Sequence, residues 1–165
     1  MSFVNKANNI ARAIVTLVCL SFVSDSLYAD EARQWGTSSW PDRIVATDCR
    51  ECGDDIGMML TCKKTDEPIS VTVHWAAVEN GTDNAELPVK ITLDDKVFTY
   101  QAKSVLFGQI GYTPVFNLKR NDPLISALQK AKTINISFAG GKTDISLKGS
   151  RAALGKFKTG CTRAQ

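Results

Sequence analysis

Alternation of apolar and polar residues is the clearest pattern in the chain. Between residues 69 and 75, apolar side chains occupy every odd position and polar side chains lie between them. A period of two with β-branched residues is typical of a half-buried β-strand. Residues 87–93 and 97–105 alternate in a similar way on either side of Asp94-Asp95-Lys96. This arrangement predicts a β-hairpin.

Four further apolar runs are bounded by turn-forming sequences that contain glycine and aspartate. Such runs are typical of short strands joined by tight connections. They predict two more hairpins, in which residues 43–47 pair with 57–62 and residues 133–138 pair with 143–147.

Two short helices are predicted towards the C-terminus. Asp122 is a candidate N-cap and Pro123 suits the first helical position, so we expect a helix that runs to Lys132. Ser150 is a candidate cap for a second helix that ends near Cys161. Together with about seven or eight strands, mostly in hairpin succession, this predicts a mainly β fold. The expected architecture is an antiparallel β-sandwich or a partly open barrel with two short helices.

The first 29 residues have the layout of a secretory signal peptide. Lys6 and Arg12 give a basic start, residues 13–23 form an apolar run, and small residues precede position 30. The apolar run is too short to span a bilayer, and the sequence offers no second candidate for a transmembrane segment. We therefore expect residues 30–165 to form a single exported domain that is periplasmic or secreted.

Cleavage would leave four of the five cysteines, namely Cys49, Cys52, Cys62 and Cys161. An even number of cysteines in a small exported domain predicts two disulfides, with three possible connectivities. If residues 53–55 close the first hairpin, Cys49 lies near Cys62, which slightly favours Cys49–Cys62 with Cys52–Cys161. The rival arrangement joins Cys52 to Cys62 and Cys49 to Cys161. Both arrangements tether the end of the chain to its first hairpin.

The spacing of Cys49 and Cys52 is also that of C-x-x-C redox motifs, which makes a thiol oxidoreductase one alternative function. Redox motifs of this kind lie where a helix begins, because the helix N-terminus stabilises a thiolate. Here Gly53-Asp54-Asp55 follows, which is acidic and poor in helix-forming residues. A structural disulfide is therefore the favoured interpretation.

The expected mature domain lacks other catalytic or metal-binding sequence patterns. His74 is its single histidine, and the alternation of its strand predicts that the side chain points to solvent. Adjacent carboxylates such as Asp94 and Asp95 would point to opposite faces of a strand, so they would not converge on one substrate atom. We expect a protein without enzyme activity, cofactor or bound metal.

Charge is divided unevenly along the domain. Residues 30–100 contain 14 acidic and 7 basic side chains, whereas residues 101–165 contain 2 acidic and 11 basic ones. The small total charge does not indicate a nucleic-acid partner. In one interpretation the charges of the two halves interleave on a single surface. In the other, a basic face binds an anionic partner, and its residues are Lys142, Lys148, Arg151, Lys156 and Lys158.

Residues 106–114 combine two glycines, a proline and large apolar side chains, which predicts an apolar loop. Exposed aromatic residues on a glycine-rich loop are typical of a binding surface. Phe107, Tyr112 and Phe116 are therefore the candidate residues for binding a protein or an envelope component. The simpler interpretation places Phe107 and Phe116 in the core. In an alternative function, the protein is a periplasmic inhibitor or immunity protein whose loop enters the cleft of a cell-wall hydrolase or effector enzyme.

The C-terminal part of the chain resembles a known family. A late strand at residues 133–138 is followed, at residues 146–154, by the pattern S-L-x-G-x-x-x-A-L. Over about the last 60 residues this resembles the end of the bacterial invasion-associated locus B family, which also has an export signal. The resemblance implies a small periplasmic or surface-associated β-sandwich that is linked to host interaction. It supplies no catalytic residues.

Overall fold

The computed structural model describes residues 33–50, 55–65, 67–74, 77–78 and 80–162. The predicted signal peptide and Cys52 lie outside these ranges. All of the described residues belong to one compact unit.

The described residues form nine strands and two helices. Their bounds are β1 Gln34–Ser39, β2 Arg43–Cys49, β3 Ile56–Lys63, β4 Ile69–Val73, β5 Glu86–Leu93, β6 Lys96–Phe107, β7 Gly111–Leu118, α1 Pro123–Leu128, β8 Ile134–Phe138, β9 Gly141–Asp144 and α2 Ser150–Thr162.

The nine strands form a single antiparallel sheet in the order β1-β2-β3-β4-β7-β6-β5-β8-β9. The sheet is open, because β1 and β9 lie at opposite ends of this order and do not pair with each other. The predicted mainly β, antiparallel fold with two helices is confirmed. The three predicted hairpins are confirmed as β2–β3, β5–β6 and β8–β9, although β9 covers residues 141–144 rather than the predicted 143–147.

Local capping chemistry explains where α1 begins. The side chain of Asp122 accepts a hydrogen bond from the backbone N–H of Leu124, 2.9 Å away. Pro123 takes the first helical position, where its missing N–H costs nothing. The predicted helix start is therefore confirmed, although α1 ends at Leu128 rather than at Lys132.

Buried side chains of the sheet and of both helices form one hydrophobic core. Helix α2 packs against β1 and β2, and its buried residues Ala153, Leu154, Phe157 and Cys161 recur at the three- and four-residue spacing of one helix face. The hydroxyl of Thr37 on β1 donates to the carbonyl of Ala153, 2.9 Å away. The C-terminal helix is therefore an integral part of the core.

The disulfide connectivity differs from both predicted arrangements, because Cys62 is bonded to Cys161. The reason is the strand register: Cys62 lies opposite Ile44 and Cys49 lies opposite Ile56, so Cys49 and Cys62 are not neighbours across the hairpin. The predictions Cys49–Cys62 and Cys49–Cys161 are both wrong. Cys49 is itself disulfide-bonded. The expected tether between the first hairpin and the end of the chain is confirmed.

The segment predicted as an apolar loop is a hairpin. Strand β6 continues to Phe107 and β7 begins at Gly111, so only three residues connect them. Gly108 and Gly111 have positive φ angles of 51° and 94°, which other residues adopt at a cost. Glycine therefore marks a tight turn here rather than a flexible loop.

No helix in the described ranges has both the length and the apolar character needed to cross a membrane.

Candidate functional site

The β6–β7 hairpin extends past its neighbours in the sheet. Strand β5 pairs with β6 only as far as Lys103, and β4 pairs with β7 only from Val115 onwards. Beyond these points β6 and β7 pair with each other up to Phe107 and Gly111. The distal half of the hairpin is therefore presented at one end of the sheet.

Three large apolar side chains are exposed at the end of this hairpin. Leu106 is 57% exposed, Phe107 41% and Ile110 42%. We call these three residues the apolar tip. Leu106 lies directly opposite Tyr112, and Phe107 lies opposite Gly111. Because successive residues of a strand point to opposite faces, the tip has apolar side chains on both faces of the hairpin.

The loop between β4 and β5, described at residues 77–78 and 80–85, is hydrogen-bonded to both edges of the hairpin, and we call it the flanking loop. The backbone N–H of Val78 donates to the carbonyl of Tyr112 at 2.7 Å, and that of Asn84 donates to the carbonyl of Ser104 at 2.7 Å. Gly81 lies against Tyr112, and a Cβ atom added at Gly81 would be only 2.6 Å from the Cβ of Tyr112. These contacts replace the strand pairing that β4 and β5 no longer supply, so the tip projects from a supported base.

The structure separates the three aromatic residues proposed for binding. Phe107 is exposed at the apolar tip, and Tyr112 is partly buried beneath the flanking loop. Phe116 is only 2% exposed and stacks on Tyr100, with 5.0 Å between ring centroids. Phe116 cannot reach a partner at the surface, so its assignment as a binding residue is corrected to a core residue.

Leu106 and Ile110 replace Phe116 in the candidate site. Both were part of the apolar segment that predicted binding, but aromatic character alone did not single them out. The signal that could have identified them is their position around Gly108, since apolar residues that flank a tight turn have no neighbouring strand to cover them.

His74 supports Phe107 from below. Its ring lies edge-on to that of Phe107, with 4.4 Å between centroids and an interplanar angle of 84°. His74 is only 3% exposed, so the prediction that it points to solvent is wrong. Its Nε2 atom has no hydrogen-bond partner in the described part of the chain. Burial therefore lowers the pKa of His74 below its ordinary value of 6.5.

Substitution of His74 by glutamine is expected to reduce the loss of stability at acidic pH. The pKa of His74 is lower in the folded state than in the unfolded chain. Neutral His74 therefore adds to the free energy of unfolding above pH 6.5, and this stabilisation is lost as the pH falls from 6.5 towards the folded pKa. This loss amounts to at most about 1.4 kcal/mol per pH unit. Urea unfolding of both proteins between pH 8 and pH 5 measures the difference, and parallel pH dependences would contradict it.

The ion pairs of the described residues join acidic side chains to basic ones of the same, N-terminal half. The basic partners are Arg33, Arg43, Arg50 and Lys63. Among the residues that the structure describes, no ion pair joins a charge of one half to a charge of the other. The predicted basic face is distributed over β9, the segment before α2, and α2 itself, and its residues are all exposed.

No group of three or more histidine, cysteine, aspartate or glutamate residues within the described ranges is placed to hold a metal ion. The first residue of the C-x-x-C motif, Cys49, is fully buried as well as disulfide-bonded.

Comparison with known proteins gives a likeness of fold alone. No family model matches the chain, and no curated protein matches it. A crystal structure of invasion associated protein B from Bartonella henselae is similar, with a TM-score of 0.48 and 11% sequence identity, over 80% of this chain and 96% of that chain.

Proposed function

We propose that this protein is an exported, non-enzymatic binding protein that contacts a partner protein or an envelope component through the apolar tip. The observation that carries the proposal is the exposure of Leu106, Phe107 and Ile110 at the end of a supported hairpin. Large apolar side chains that cluster at the surface favour association, since covering them removes apolar area from water.

The proposed location is the periplasm or the cell exterior. The Cys62–Cys161 disulfide supports it, because disulfides persist in oxidising compartments. The signal-peptide pattern of residues 1–29 and the resemblance of the C-terminal residues to the invasion-associated locus B family support it independently. The same resemblance is the basis for proposing a link to host interaction. Mass spectrometry of the protein from fractionated cells tests the location, and a mature form in the cytosol with free thiols would contradict it.

Replacement of Leu106, Phe107 and Ile110 by serine is expected to abolish binding through the tip with little change in thermal stability. The three side chains are 41–57% exposed, so their loss removes less core packing than a buried substitution. Thermal melts of the wild type and of L106S/F107S/I110S measure the stability. Binding is measured with a photo-crosslinking amino acid that replaces Phe107 in the exporting bacterium, by comparing its adducts with and without L106S/I110S.

Val97 provides the matched control for this experiment. It is also a large apolar residue, 55% exposed, but it lies at the opposite end of β6. A photo-crosslinker at position 97 should give no specific adduct, and V97S should leave the adduct at position 107 unchanged. Equal adducts from both positions would show that the tip is not a specific surface.

An inhibitor or immunity protein is the second candidate function. A narrow hairpin with apolar side chains on both faces has the shape required to enter a cleft, which favours this alternative. Assays of lysozymes and peptidoglycan hydrolases with the wild-type protein and with the L106S/F107S/I110S variant separate the two functions. Inhibition by the wild type alone would assign the tip to an enzyme cleft.

A further inference from the structure

A groove with positively charged walls lies where the end of α1 approaches the start of α2. Its volume is about 560 Å³, which is within the range of sites that hold small ligands or short peptide segments. Lys130, Lys132 and Arg151 line it, and all three are exposed. We call this the basic groove.

The floor of the basic groove is less polar than its walls. Ala131 and Leu147, which are half-buried, and Ala152, which is exposed, line the groove together with the three cationic residues, and we call these three apolar residues its floor. The groove therefore presents both cationic and apolar side chains to a ligand.

Contacts between the two helices fix the shape of the groove. The hydroxyl of the buried Ser150 donates to the carbonyl of Leu128 at 2.9 Å. The side-chain amide of Gln129 donates to the carbonyl of Arg151 at 3.4 Å. Both walls are thus attached to the same core, so a ligand would meet a groove that is already formed.

The positive charge of the groove is offset only in part within the described part of the chain. Asp94 accepts a hydrogen bond from the backbone N–H of Lys132 and also interacts with the charge of that side chain, whereas no acidic side chain is found in an ion pair with Lys130 or Arg151 among the described residues. The ion pairs found there involve no basic residue after Lys63. The two acidic residues of the range 101–162 are engaged elsewhere, since Asp122 caps α1 and Asp144 accepts a hydrogen bond from Asn135. The first turn of α2 has no acidic residue.

We propose that the basic groove docks an acidic peptide segment of a partner protein. Carboxylates of the segment would pair with Lys130, Lys132 and Arg151, and its apolar side chains would contact the floor. Binding of acidic sequence motifs by clusters of cationic side chains is a recurring mode of peptide recognition. This site is separate from the apolar tip, so it does not depend on the function proposed for that surface.

The combination of charge and apolar floor favours a peptide over other polyanions. A flat anionic bilayer would meet the exposed cations but would not fill a recess between two helices. Nucleic acids and anionic polysaccharides supply the charge but carry no aliphatic side chains to cover Ala131 and Leu147. An extended peptide supplies both when acidic and aliphatic residues alternate at every second position, because residues i and i+2 lie on the same face.

The test uses the purified chain and a fluorescent peptide of Glu-Glu-Leu-Leu repeats, which in an extended conformation presents both residue types on each face. Binding is measured by anisotropy at low salt. Binding is expected, and the variant K130Q/K132Q/R151Q should weaken it by about tenfold or more, because three charge-assisted contacts are lost. The charge-retaining variant K130R/K132R/R151K should keep the affinity within a few-fold. A peptide with glutamine in place of glutamate should not bind.

The variant K64Q/K90Q/K103Q is the matched control. It removes the same number of positive charges from exposed positions on β5, on β6 and directly after β3, none of which lines the groove. It should leave peptide binding nearly unchanged, and thermal melts should show both triple variants to be folded. Equal weakening by the two triple variants would overturn the proposal, because it would show a response to net charge alone. Groove-dependent binding of phosphatidylglycerol vesicles or of a sulfated polysaccharide, without binding of the peptide, would overturn it as well.

Discussion

Replacing Cys62 and Cys161 together by alanine is expected to lower the free energy of unfolding by about 4–5 kcal/mol. The disulfide spans 99 residues of sequence, and cross-linking a loop of that length removes a large conformational entropy from the unfolded chain. Net stabilities of domains of this size are about 5–15 kcal/mol, so the loss is a large fraction of the total. Urea unfolding followed by circular dichroism measures it.

Reduction of the wild-type protein provides the control for this prediction. If the stabilisation comes from the Cys62–Cys161 cross-link, the wild type and the double alanine variant should unfold at similar urea concentrations when both are fully reduced, because reduction also opens the disulfide of Cys49 in both proteins. A double variant within about 1 kcal/mol of the oxidised wild type would contradict the prediction, since that value is typical of ordinary substitutions.

Arg120 should limit the local consequences of removing this disulfide. Its guanidinium group donates to the carbonyl of Cys161 and, at 3.0 Å, to the carbonyl of Lys63. These two carbonyls belong to the bridged cysteine of α2 and to the residue after the bridged cysteine of β3. Arg120 therefore joins the same two elements without a covalent bond, so the end of α2 should remain docked in the native state of the variant.

The fold was predictable from sequence wherever the information is local. The alternation of residues 69–75 placed the start of β4 correctly, although the strand ends at Val73, and the alternation of residues 87–93 placed β5 within one residue of its bounds, because a half-buried strand imposes a period of two. Asp122 and Pro123 located the start of α1 for an equally local reason, since capping involves only neighbouring residues.

The disulfide pairing was not predictable in the same way, because it depends on register. The ladder places Cys62 opposite Ile44, and α2 then brings Cys161 to it. Both steps are set by packing between segments that are far apart in sequence. A shift of register changes every cross-strand neighbour at once, and the sequence of the hairpin alone does not fix it.

His74 shows a second limit of sequence patterns. Alternation identifies the two faces of a strand, but it does not show whether the more polar face is covered. On β4 and just after it, Thr72 is 5% exposed and His74 is 3% exposed, so the polar face is covered as well. The candidate site was affected by the same limit. Phe107 lies beyond the last residue of β6 that pairs with β5, whereas Phe116 lies within the part of β7 that pairs with β4, so one ring is exposed and the other is buried.

Substitution of Arg33 by methionine is the second change expected to have a large effect, about 3–5 kcal/mol of destabilisation. The guanidinium Nε atom of Arg33 lies 3.0 Å from Asp48 Oδ2, and Arg33 also donates to the backbone carbonyl of Asp48. The Asp48 side chain is fully buried, so removal of its cationic partner leaves an uncompensated charge out of contact with water.

The backbone around the Arg33–Asp48 ion pair leaves room for both side chains. At Gly57, a Cβ atom would lie 2.6 Å from both the Arg33 guanidinium and Asp48 Oδ2, so glycine leaves the space that the pair occupies. Asp55 lies 2.5 Å from the same guanidinium but is 31% exposed. Substitution of Asp55 by asparagine is therefore expected to cost less than about 1 kcal/mol, because water screens a partly exposed pair.

The pH dependence distinguishes a buried charge from lost packing. Burial raises the pKa of Asp48 above its ordinary value, although the charge of Arg33 acts to lower it. Without Arg33 the pKa of Asp48 should therefore rise further. A carboxyl whose pKa is raised on folding stabilises the fold below its unfolded pKa and loses that contribution as the pH rises through the folded value. The penalty of R33M should therefore shrink at pH 4 relative to pH 7.

The double variant R33M/D48N completes the experiment. It removes the buried charge together with its partner, so it should be more stable than R33M alone when both are unfolded with urea at pH 7. Lost packing of the arginine side chain would instead give a penalty that is the same at both pH values and is not relieved by D48N. That result would assign the role of Arg33 to its hydrocarbon contacts rather than to its charge.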